Sequence, residues 1–133
     1  MKLDYDCVRD LLLEVEKLDF GEYFSTKDLI AMNYSEDLNY PTEALMYTAK
    51  ILCDGGYLEA EIEEVFQQPI EVNVCNIYSL TFKGHEYLNS VRDTNIWKKF
   101  KEIAKKSVLP FTLEIVQNTC SNFISDLLTS GIG

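Results

Sequence analysis

The run Ile51-Leu52-Cys53-Asp54-Gly55-Gly56-Tyr57-Leu58-Glu59-Ala60-Glu61-Ile62-Glu63-Glu64 changes its apolar period halfway along. Upstream, Leu45, Thr48, Ala49 and Leu52 recur at steps of three and four, which puts them on one face of a helix. Downstream, Leu58, Ala60 and Ile62 alternate with Glu59, Glu61 and Glu63, the period of a strand buried on one side only. A helix therefore stops at Gly55-Gly56, where glycine accepts the backbone turn that ends helices, and a strand starts at once.

Upstream of this run the sequence predicts three helices. Tyr5, Val8, Leu12, Val15 and Leu18 share one stripe, with Asp4 placed to cap it and Gly21 to end it. Ser25 followed by Asp28 resembles a capping box for a short second helix through Leu29, Ile30 and Met32. Residues 33–40 are polar and turn-rich, and Pro41 suits the first position of the third helix.

Downstream, a returning strand is predicted from Val72 to Leu80, with a tip at Val65 to Ile70 that lacks an Asn-Gly turn. Thr81 can cap a helix through Leu88 and Val91. A bend near Asp93-Thr94-Asn95 then separates it from a second stripe, Ile96, Phe100 and Ile103, set among Lys98, Lys99, Lys101, Lys105 and Lys106. Finally Leu109, Leu113, Val116, Cys120, Phe123 and Leu127 step by four and three, beside Ile124 and Leu128. They predict an amphipathic terminal helix with Pro110 in its first turn.

Three helices, a two-stranded hairpin and a further helix define an α+β, mostly helical winged-helix arrangement with additional C-terminal helices. The expected division is a winged-helix domain at 1–93 and a helical extension at 94–133. Leu45 to Leu58 resembles the exit of the third helix in winged-helix proteins, and Tyr78-Ser79-Leu80-Thr81-Phe82-Lys83-Gly84-His85-Glu86-Tyr87-Leu88 resembles their passage from the last wing strand into the next helix. Residues 1–10, and Leu80 through Lys101 with Gly84-His85-Glu86 and Ile96-Trp97-Lys98-Lys99, are similar to an uncharacterised family of bacterial and prophage proteins, domain of unknown function 2513. That resemblance covers roughly residues 1–107. It implies a bacterial or phage origin and a winged-helix architecture, and transfers no catalytic or binding residue.

With 133 residues, 47% of them apolar, the chain suits one core. Its start is neither basic nor followed by an unbroken apolar run, and no stretch reaches the roughly 18 apolar residues that span a bilayer, so a cytoplasmic protein with no membrane contact is expected. Cys7, Cys53, Cys75 and Cys120 lack metal-ligand spacing and read as free thiols; neither a metal nor a cofactor is expected. The net charge of −10 is unevenly spread: residues 1–64 hold sixteen acids against five bases, whereas residues 65–133 hold six against seven. An acidic surface repels both phosphate backbones and anionic lipid.

Candidate sites are weighed against that charge. A DNA-reading third helix would offer Tyr47 and Lys50, but Glu43 and Asp54 share its outer face and Glu59, Glu61, Glu63 and Glu64 line the wing. DNA is therefore a disfavoured partner, kept as the alternative: a bacterial or phage transcription regulator. The lysines from Lys98 to Lys106 read as a solvated face able to pair with the acidic half of the same or a neighbouring chain. His85 stands without a nucleophile or paired carboxylate at recognisable spacing, and Trp97 reads as an aromatic sealing a core edge. No catalytic residue is assigned, so no enzyme is expected. The expectation is a protein acting through protein contacts, with an unidentified partner or as a homo-oligomer, a dimer joined through Leu109, Leu113, Val116, Phe123 and Leu127.

Overall fold

A computed structural model describes residues 1–32, 38–65, 71–108 and 110–132. Among these, six helices and one two-stranded antiparallel sheet follow in the order α1 (Tyr5–Glu16), α2 (Thr26–Met32), α3 (Thr42–Asp54), β1 (Leu58–Val65), β2 (Glu71–Leu80), α4 (Phe82–Val91), α5 (Thr94–Lys106) and α6 (Leu113–Ile132). The fold is α+β and mostly helical. Contacts divide the chain into two compact units, Met1–His85 and Glu86–Gly133, so the division falls within α4.

In the first unit, the Asp4 carboxylate accepts from the amides of Asp6 and Cys7 at 2.9 and 3.2 Å, meeting donors that the first turn of α1 leaves open. The helix buries Cys7, Val8, Leu11, Leu12 and Val15. It closes at Lys17, earlier than Gly21, because the chain turns sharply at residues 19–22. There Glu22 N donates to Asp19 O at 2.9 Å, and Gly21, at φ +92°, takes the left-handed position that such a turn reserves for glycine. Ser25 and Asp28 form the reciprocal cap of α2, Ser25 N donating to Oδ2 at 2.7 Å and Asp28 N to Ser25 Oγ at 3.3 Å.

Pro41 caps α3 from one residue outside it, not from its first helical position; its carbonyl accepts the amides of Ala44 and Leu45. Thr48 sits on the buried face at little cost because its hydroxyl donates to Ala44 O at 2.7 Å. At the other end Tyr57 N donates to Leu52 O and Gly56 N to Cys53 O, with Gly56 at φ +83°. This Schellman closure is what the glycine pair provides.

The two strands pair from Leu58↔Leu80 to Val65↔Glu71, with irregularities opposite Glu59/Ala60 and Glu63/Glu64. At the first, Glu59 faces Ser79 and Ala60 faces Ile77, so Tyr78 is the extra residue of a bulge. The tip at 66–70 lies outside the described residues, whereas Val65 belongs to β1. Phe24 joins β2 from the α1–α2 connection, exchanging both backbone hydrogen bonds with Ile77 at 2.9 and 2.8 Å. Tyr40 Oη donates to Asp10 at 2.7 Å, fastening the α2–α3 connection to α1.

Thr81 caps α4, its Oγ1 accepting from Gly84 N at 3.0 Å and donating to Gly56 O. A Cβ on Gly84 would collide with the Tyr57 carbonyl, so glycine is required there by contact with backbone that cannot move aside. Lys83 Nζ donates to Gly55 O at 3.1 Å and lies 4.5 Å from the centre of the Tyr57 ring.

In the second unit, the expected bend is a full break: α4 ends at Val91, and Asp93 caps α5 through Ile96 N at 2.9 Å. Phe100 stacks on Trp97 and meets Phe111 edge-on, both at 5.4 Å. The terminal helix begins later than expected. Leu113 is its first residue, and Thr112, whose Oγ1 accepts from Ile115 N at 3.2 Å, does the capping; Pro110 precedes the helix and Leu109 lies outside the described residues. Helices α5 and α6 pack together, Lys99 Nζ standing 4.2 Å from the Phe123 ring centre. A connection of about six residues is too short to let them run parallel with that pair in contact, so they are antiparallel.

Candidate functional site

Three regions of the described residues could carry function: the outer face of α3, the apolar face of α6, and a cleft in the first unit.

On α3, Tyr47 is half-buried and Lys50 is half-exposed. The Lys50 ammonium lies 2.9 Å from Asp54 and 3.5 Å from Glu64, and its hydrogen bond to Asp54, followed by the charges of both acids, raises its pKa. Glu43, Glu59, Glu61 and Glu63 are exposed as well. The cation expected to meet phosphate is thus already engaged by two carboxylates of its own chain. Docking on DNA would require releasing it.

On α6 the expected face splits. Val116 is fully buried, Leu113 and Phe123 are half-buried, and Leu127 is 62% exposed, joined by Leu128 at 65%.

The cleft was not foreseen from the sequence. It encloses about 440 Å³ between the last turn of α1 (Val15, Glu16), the turn at 18–22, Glu59 of β1, the end of β2 (Tyr78 to Leu80) and His85 of α4. Val15, Leu18 and Leu80 give it an apolar lining, and the bulge at Tyr78 turns that ring outward beside Tyr23, with centroids 5.5 Å apart. Phe20 stands fully in solvent. Among the acids, Glu22 Oε1 accepts from Asp19 N at 2.7 Å and Glu59 from Ser79 Oγ at 3.4 Å. An apolar lining bearing aromatic rings and carboxylates suits an apolar group carrying positive charge. His85 is exposed and belongs to this lining, and Trp97 is buried next to Phe100. The available signal for the cleft was Phe20-Gly21-Glu22-Tyr23-Phe24, an aromatic-rich turn outside every helical stripe.

Burial pushes the thiols of Cys7, Cys75 and Cys120 up to about 11, which keeps them protonated and weakly nucleophilic near neutrality. No helix of the described residues is long and apolar enough to cross a membrane.

These features define a small, mostly helical α+β protein with a hairpin, an acidic aromatic cleft and a C-terminal helical pair. The chain belongs to the family described as hypothetical protein DUF2513, whose model matches residues 2–110 and so ends just before α6. It is also similar, at 25% identity over 133 residues, to a protein of Haemophilus influenzae strain Rd described as an uncharacterized protein. That match takes in 96% of this chain and 99% of the other. No solved structure matches.

Proposed function

We propose that the chain is a non-enzymatic module of winged-helix type that works through protein contacts and self-associates through the distal half of α6. The order of elements supports the winged-helix reading, as does the Phe24–Ile77 bridge, which ties the α1–α2 connection to the hairpin as a third short strand would. The observation that carries self-association is the exposure of Leu127 and Leu128 at 62% and 65%, continuing a stripe that is buried at Val116 and Cys120. Two leucines in water on a helix that already packs on one side gain by meeting their own copies across a two-fold axis.

Light scattering over a range of concentrations in about 0.5 M salt, where contacts between exposed charges are screened, tests this. The full chain is expected to be a dimer and the Leu127→Asp/Leu128→Asp chain a monomer with an unchanged melting curve. A monomeric parent chain, or a dimer indifferent to the two aspartates, rejects the reading. Adding duplex DNA at low salt is expected to leave the mass unchanged, because Lys50 is held by Asp54 and Glu64. A salt-reversible mass increase that Lys50→Glu abolishes would instead establish the DNA-binding alternative.

A further inference from the structure

We propose that the cleft of the first unit receives the lysine-bearing face of α5 from a second copy of the chain. Asp19, Glu22 and Glu59 place three carboxylates on an apolar lining, next to Phe20 in full contact with water. On α5, Lys98, Lys105 and Lys106 are exposed, and steps of seven and eight residues put them on one side of the helix. Among the described residues none of the three carboxylates forms an ion pair within the first unit, and none of the three lysines within the second.

The chemistry of the two surfaces is complementary beyond charge. The helix carries five lysines against the single acid Glu102, and Ile103 and Val108, 47% and 97% exposed, lie beside the lysines. Lysine stems cover apolar surface while the ammonium groups reach carboxylates or aromatic faces. The chain already places lysine over an aromatic ring twice, Lys83 on Tyr57 and Lys99 on Phe123. Phe20, Tyr23 and Tyr78 offer the same kind of face at the cleft. Exposed ion pairs are individually weak and screened by salt, so the contact is dissolved by ionic strength.

This contact is separate from the one proposed for α6 and is tested without it. Equal amounts of full-length chain, one half labelled with 15N, are treated with a zero-length carbodiimide, which joins lysine only to a carboxylate in contact. Mixed-isotope peptides linking Lys98, Lys105 or Lys106 to Asp19, Glu22 or Glu59 are expected. Their yield should fall about tenfold in 0.5 M salt, where the Debye length is about 4 Å against about 30 Å at 0.01 M, and by a similar factor in the Lys98→Glu/Lys105→Glu chain. Mixing that chain with a Glu22→Lys/Glu59→Lys chain should restore inter-chain association. Links confined to single-isotope peptides, links to other acids, or reversal without restoration on mixing would each overturn the assignment. Leu127→Asp/Leu128→Asp leaves both charged surfaces intact, so failure of the α6 reading appears as an unaltered mass in about 0.5 M salt, where the charged contact is dissolved, and failure of this one as missing mixed-isotope links at low salt.

Discussion

Helices α1 and α6 carry the same kind of apolar stripe and meet different fates. In α1 every step from Cys7 through Val8, Leu11, Leu12 and Val15 is buried, whereas α6 is covered at Val116 and Cys120 and bare at Leu127 and Leu128. The spacing of apolar residues states which face a helix would bury. Whether that face is covered depends on what stands opposite: α1 packs against both α3 and β2, while α6 packs against α5 and leaves its far end bare.

The sharpest way to break this comparison is to place the same charge twice on one stripe. Val116→Asp buries an uncompensated carboxylate and is expected to cost on the order of 4 kcal/mol, enough to unfold much of the second unit. Leu127→Asp, one stripe position in water, should change monomer stability by no more than about 0.5 kcal/mol. Urea titrations of the two chains check this, and equal losses would mean that the covered and bare halves of α6 are not distinct. Next in size, Leu11→Ala in α1 should cost about 3 kcal/mol, since the fully buried leucine leaves a cavity, against a near-zero effect for Leu128→Ala.

A last expected effect is one of pH and is confined to alkaline solution. Cys7 and Cys75 in the first unit and Cys120 in the second have folded pKa values raised to about 11 from an ordinary 9. A raised folded pKa means that the folded chain holds the proton more firmly, so the contribution is intact below pH 9 and is lost as pH climbs from 9 to 11. The urea midpoint should therefore fall over that window, and by less in a chain with all three cysteines changed to alanine. A fall that ignores the cysteines would show that other groups carry it.

Much of the fold was legible. Asp4, Ser25 with Asp28, Thr81 and the Gly55-Gly56 pair all mark ends of elements, because capping is chemistry between residues two to five positions apart, and a sequence displays such separations directly. The misplacements have the same cause. Lys17 rather than Gly21 ends α1 because the turn at 19–22 is tied to β2 through Phe24, a partner over fifty residues away. Pro110 resembles a helix start, yet Thr112 makes the capping hydrogen bond. For the sites, the sequence named Lys50 and the α6 stripe as surfaces, and only the fold set Glu64 beside the lysine and bare water beside Leu127.

By itself, then, the sequence determined the order of helices and strands, the face each turns inward and the concentration of acid in the first half, all properties of spacing and composition. The tertiary structure alone decided which of those faces found cover, that Gly84 must stay free of a Cβ because the Tyr57 carbonyl lies against it, and that Glu59, Tyr78 and the 18–22 turn enclose one cleft. Those are facts about residues far apart in the chain, and contact between them depends on how the elements pack, which local periodicity does not encode.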